Sequence, residues 1–241
     1  MNAGFFRRRW FYVSLAAVLL VIVAVGFERS FYLRHVLNAG NTRRSTLPAY
    51  LTAHGIALTL WFLLFLAQTL LVSFGRVRLH RSLGAVGAVL AGVVFVLSML
   101  VVVRSVVRET SLVVIGDIAL LILFAILVTA SIHFRRKPQV HKRLMAIASI
   151  SIVAPAIARW PGAQSMLPLS VVLPQLLLYG AQVIYDVRSS RRLHPATAWG
   201  VLGYVLAVGI TIPLATSTLG HRFVNSLKSR QIVTGSPTSP N

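Results

Sequence analysis

The sequence predicts an all-α fold: a polytopic membrane helix bundle with seven transmembrane helices. Three observations predict it. The chain of 241 residues is 56% hydrophobic and only 12% charged, whereas soluble domains carry about 25% charged residues. At a mean hydropathy of +0.79 such a chain cannot cover its surface in water, so lipid is its natural solvent. Its apolar residues fall into seven runs, each near the ~20 residues a helix needs to cross the hydrocarbon core. Its 24 Lys and Arg lie mostly between those runs. That placement marks span ends rather than a nucleic-acid-binding face, despite an isoelectric point near 12.

The first run, 10–27, follows Arg7–Arg9. Ala24-Val25-Gly26 loosely imitates a cleavage site, and removal would leave six spans; the run is long for a signal peptide and reads as an uncleaved anchor. The second, 48–74, sets His54, Trp61 and Gln68 seven residues apart, within about one helix face shared with Leu58 and Phe65. The third, 82–103, carries Gly84, Gly87, Ala91 and Gly92 along one flank, where small residues let helices approach closely.

The fourth run, 112–132, contains Asp117. A central Asp costs ~2.5–3.5 kcal/mol on the insertion scale, which neighbouring Leu, Ile, Phe and Val offset at ~0.3–0.6 each. The carboxyl group still needs a partner. His54 enters from the same side at similar depth, so a His54–Asp117 contact is expected, with the carboxylate orienting the imidazole. Pairing of Asp117 with Arg104, Arg108 or Arg159 is the competing expectation.

The fifth run, 143–160, is the shortest, and Pro155 predicts a kink or tilt. The sixth, 166–187, places Gln175, Tyr179, Gln182 and Asp186 in a narrow arc, which predicts an inward-facing polar stripe, either interhelical glue or a cavity lining. The seventh is 196–215. Residues 1–225 read as one transmembrane domain, and 226–241, ending GSPTSPN, as a disordered tail.

Basic residues orient the bundle. With the N-terminus inside, 14 of the 24 Lys and Arg fall in short cytoplasmic segments, and three of the other 10 lie in the C-terminal tail. The positive-inside rule then predicts a cytoplasmic N-terminus and an external C-terminus. Anionic phospholipids at the cytoplasmic face are the expected lipid partners, a membrane protein or a second copy of the chain the expected protein partner, and nucleic acid is not a partner.

The inner connections share an ending: RVRLHRSL at 76–83, KPQVHKRL at 137–144 and SRRLHPAT at 190–197. Each places a histidine (His80, His141, His194) at the start of an outward-running helix, so the chain reads as three hairpins, 2–3, 4–5 and 6–7. His133 joins the same layer. The macrodipole at a helix N-terminus disfavours an imidazolium, and a neutral ring can serve as a metal or haem ligand or hydrogen-bond lipid phosphate.

The combination HG…W…Q…GRxxLHRxLG, followed by HKRLM and RRLHPATAWG, resembles a set of functionally unassigned bacterial multi-pass inner-membrane proteins over roughly residues 50–205. More distantly it looks like membrane b-type cytochromes and the assembly factors of haem–copper oxidases. That resemblance implies haem b or metal binding by histidines near helix ends, here His54, His80, His133 and His141. His54 lies near the outer face and the other three near the inner one, so an inner haem would take His80 with His133 or His141.

Other chemistries are excluded by composition. Cysteine is absent, which removes disulfides, thiolate metal sites, iron–sulfur clusters and c-type haem attachment. Lys137, Lys142 and Lys228 are the only lysines and all lie outside the spans, so no retinal Schiff base can form. No phosphate-binding glycine loop, Gly-x-Ser-x-Gly elbow or His-Glu-x-x-His motif occurs. Three functions remain: a haem- or metal-associated redox or assembly protein, a proton-coupled transporter or channel-like protein using His54 and Asp117, and an accessory subunit without chemistry.

Overall fold

A computed structural model describes residues 3–37, 46–166 and 169–235, and all secondary structure among them is helical. Seven helical segments are long and apolar enough to cross a membrane. They are α1 (Ala3–Phe27), α2 (Ala49–Ser73), α3 (Val77–Ser105), α4 (Ser111–His133), α5 (Pro138–Ser151), α6 (Leu169–Ser190) and α7 (Pro195–Thr216). A π-helical turn, Glu28–Tyr32, extends α1, and one helical turn, Ala154–Ile157, completes the span begun by α5.

Local chemistry sets the helix ends. Thr110 caps α4, its Oγ1 accepting from Val113 N at 3.4 Å. Pro138 and Pro195 open α5 and α7 at the first helical position, where a missing N–H costs nothing. Pro155 acts as expected. It has no N–H for the Ser151 carbonyl, so α5 ends at Ser151 and the chain restarts as a separate turn. Gln175 of α6 meets the break, Nε2 donating to the Ile150 carbonyl at 3.1 Å and, at longer range, to that of Ser151 at 3.4 Å.

The core follows the α5 segment, which α1, α4, α6 and α7 surround. Ala146, Ile147, Ala148 and Ile150 are fully buried, and Leu19, Phe62, Phe124 and Tyr204 are buried in the same cluster. Two glycines permit close approach. A Cβ at Gly200 of α7 would lie 2.7 Å from Ile147 Cδ1, and one at Gly26 would collide with the Ala156 carbonyl. The expected hairpins 2–3 and 4–5 pack as pairs, but α7 packs chiefly on α4 and α5 and touches α6 little. Connection length therefore misleads for the third hairpin.

The expected tail also differs. Residues 226–235 continue a further helix, α8 (Thr218–Gly235), while 236–241 lie outside the described residues. Ser217 caps it, with Gly220 N donating to its Oγ at 3.0 Å. Val224 of α8 is fully buried in a second apolar cluster with Val102, Val106, Val114, Ile115, Leu121 and Ala215, at the bundle end where α3 finishes and α4 begins.

Candidate functional site

The repeat histidines separate into two structural roles. His80 and His141 each occupy the fourth position of their helices. His194 instead is the N-cap of α7, with ψ at 134° and Nδ1 accepting from Ala196 N at 3.1 Å. The difference is the residue that follows. Pro195 keeps His194 out of the helical region and starts the helix itself. Burial and then the positive charge of Arg143 hold the His194 ring below the ordinary histidine range, which keeps its capping nitrogen an acceptor.

His80 and His141 come together, their ring centroids 6.3 Å apart and the planes at 76°. Ser131, near the end of α4, sets the His141 tautomer. The Ser131 hydroxyl donates to the His141 carbonyl at 3.0 Å, and His141 Nδ1 lies 2.8 Å from that hydroxyl and 2.9 Å from the Ser131 carbonyl, which can only accept and so calls for an Nδ1–H. That bond leaves the Nε2 lone pair unprotonated, the arrangement second-shell carbonyls impose on ligand histidines. Gln68 of α2 acts on His80 in the opposite sense: its amide N–H donates to Nδ1, which makes that nitrogen the acceptor and places the ring proton on Nε2. Its amide nitrogen lies 3.2 Å from the His80 carbonyl and 2.5 Å from Nδ1, and its oxygen accepts from Gly84 N at 3.1 Å. His133 does not join the pair; it is exposed, its ring edge-on to neighbouring Phe134.

The α6 stripe points inward along its whole length. Gln175, Tyr179, Gln182 and Asp186 are each no more than 1% exposed. Tyr204 of α7 donates to Gln175 Oε1 at 3.0 Å, and Gln182 Nε2 donates to Tyr12 OH of α1 at 3.1 Å. Asp186 is the best satisfied. Its Oδ1 accepts from Arg143 Nε at 2.8 Å and lies 2.7 Å from a second guanidinium nitrogen, while Oδ2 accepts from Thr197 at 2.5 Å. The guanidinium also donates to the Gln139 carbonyl and Oε1, both at 2.8 Å.

Arg143 corrects the sequence reading, which counted it among the charges that orient the bundle. It is 2% exposed. The available signal is register: Arg143, Ile147 and Ile150 fall at i, i+4 and i+7 on one buried face of α5. Thr197, Tyr204, Tyr12 and Ser131 were missed because nothing in their local sequence distinguishes them from packing residues.

The expected His54–Asp117 contact is not formed. His54 faces Ser98 of α3, with Nδ1 3.4 Å from the hydroxyl. Asp117 is half-buried, and Arg159 and Glu109 are the charged groups whose fields reach it. Trp61 is buried edge-on to Phe124 of α4 at 5.2 Å. The α2 stripe thus meets α3 at both ends and α4 in the middle. No group of three or more His, Asp or Glu suited to a metal ion occurs among the described residues. The chain matches no protein-family model, no curated protein and no solved structure.

Proposed function

We propose that this chain is a haem-associated membrane protein of the redox or assembly type, in which His80 and His141 would hold the haem at the inner end of the bundle. The observation that carries this reading is their pairing. Two imidazoles on different helices lie edge-on with ring centroids 6.3 Å apart, and His141 Nδ1 lies 2.9 Å from the Ser131 carbonyl, a contact that suits the ligand tautomer.

The residues fit the group. A bare zinc ion takes three or four protein ligands, and no such set occurs among the described residues. Haem iron needs only one or two axial ligands, because the macrocycle supplies the rest. His80 and His141 would hold the haem from two different helices, α3 and α5. For His80 to ligate through Nε2, Gln68 would have to turn its oxygen toward Nδ1 and give up its bonds to the His80 carbonyl and Gly84 N. Arg76, Arg78, Arg81, Arg135, Arg136 and Lys137 are exposed at the same end and suit the propionates. When bound, haem supplies one-electron chemistry; the protein sets ligand spacing, burial and hence potential.

The reading includes a bacterial inner membrane and a cytoplasmic N-terminus, supported by the basic residues around the histidine end. His54 and His133 are outside the site. The transporter reading rested on His54 with Asp117 and lacks their contact. The satisfied Gln175 and Asp186 networks favour a packing role for α6.

Protein produced with ample haem supply and purified in detergent is expected to show a Soret band. His80→Ala and His141→Ala abolish or shift it; His54→Ala and His133→Ala leave it intact. A monodisperse, helical preparation with no Soret band refutes the proposal.

A further inference from the structure

The amphipathic helix α8 lies at the bundle end opposite His80 and His141, where no haem is proposed. One side is docked: Val224 is fully buried, Leu227 packs on the same cluster, and His221 Nδ1 lies 3.3 Å from Ser111 Oγ of α4. Gly220 is pressed against the Leu214 carbonyl and would not accept a side chain. The free side is unusual for a water-facing helix. Leu219 is 69% exposed and Phe223 48% exposed. At 100° per residue, Leu219, Phe223 and Ser226 fall within one 60° arc, with Arg222 40° beyond it. Lys228 lies on the opposite side, 180° from Leu219, and α8 holds no acidic residue. The end of α3 and the α3–α4 connection add Arg104 and Arg108 against Glu109 alone.

We propose that α8 is an interfacial helix that binds anionic phospholipid headgroups in the leaflet opposite the histidine pair. Leu219 and Phe223 enter the boundary between headgroups and acyl chains. Arg222, together with the exposed Arg104 and Arg108 at the same bundle end, pairs with lipid phosphates, the Arg222 stem lying along the apolar layer. A water-facing role would leave Leu219 and Phe223 exposed for no gain, and a basic helix with no acid repels a second copy of itself. Each cation near an anionic surface favours binding by about five-fold at ordinary ionic strength.

The test uses the full chain, whose lack of cysteine makes single labels clean. Phe223→Cys, Leu219→Cys and Asn225→Cys are labelled with an environment-sensitive fluorophore and reconstituted in phosphatidylcholine vesicles with or without phosphatidylglycerol. Asn225 lies about 200° around the helix from Phe223 and serves as the water-facing control. With phosphatidylglycerol present, labels at 219 and 223 are expected to be quenched by brominated lipid and shielded from aqueous iodide, and the label at 225 the reverse. Shielding falls in phosphatidylcholine alone, in 1 M salt, where screening acts within about 3 Å, and in the Arg104→Gln, Arg108→Gln, Arg222→Gln triple variant. Iodide quenching at 223 equal to that at 225 overturns the proposal. So does shielding that ignores lipid charge and salt, which would leave an apolar contact with no headgroup recognition.

Discussion

The Arg143–Asp186 pair offers the sharpest test of the packing. Both side chains are essentially inaccessible, and the contact combines two guanidinium–Oδ1 approaches at 2.7 and 2.8 Å with the Thr197 bond to Oδ2. At an effective dielectric of about 20, charges 2.8 Å apart attract by about 6 kcal/mol, of which desolvating the two ions consumes several kcal/mol. The net value of the pair is therefore small, yet the cost of removing one member is large, because the other stays buried and unpaired. Arg143→Met alone, or Asp186→Leu alone, should each destabilise by about 3–5 kcal/mol. At about 2–4 °C per kcal/mol for a chain this size, that lowers the unfolding midpoint by roughly 6–20 °C. The double variant should recover most of the loss, since apolar groups of similar volume replace the ions. Thermal unfolding of the four proteins in detergent, followed by tryptophan fluorescence, closes the cycle. Single losses below about 1 kcal/mol, or a double variant as unstable as the two losses added, would refute the buried-pair reasoning and imply water or lipid at the site.

Two further outcomes follow from neighbouring groups. Tyr179 OH is buried with no hydrogen-bond partner in the protein, so Tyr179→Phe removes an unmet group and should hold or raise the unfolding midpoint, by up to ~1 kcal/mol; a clear fall would mean that the hydroxyl is bonded. The His194 ring is held below its ordinary range, so the folded state binds fewer protons there than the unfolded one. Its capping contribution is complete above the unfolded pKa of about 6.5 and is lost as pH falls from there through the folded value. Between pH 8 and pH 5 the wild type should lose more stability than His194→Asn, whose amide caps without titrating; equal losses in a pH-scanned melt would remove the role.

The span count, the ends of most helices, the break at Pro155 and the inward aspect of the α6 stripe were legible in the sequence. Each depends on a local rule. Hydrocarbon thickness demands a run of given length, proline removes a donor, and polar groups avoid lipid. Even His194 was readable as different, since its following proline forbids the position that His80 and His141 occupy. The helix of residues 218–235 was harder. Its intrinsic pattern is weak, and Val224 and Gly220 are held by the ends of α3, α4 and α7 rather than by their own neighbours.

What the sequence determined by itself was which segments lie in lipid and where charge collects, because the bilayer imposes those constraints on each segment separately. The partners were decided only by tertiary structure. Arg143 turns inward to Asp186 instead of joining the basic rim, His141 meets His80 and not His133, and His54 meets Ser98 and not Asp117. Equal depth makes such pairs eligible, but rotation of each helix about its axis and the choice of neighbours bring one pair together and part another. Both emerge from packing the whole bundle around α5, which no single stretch of the chain encodes.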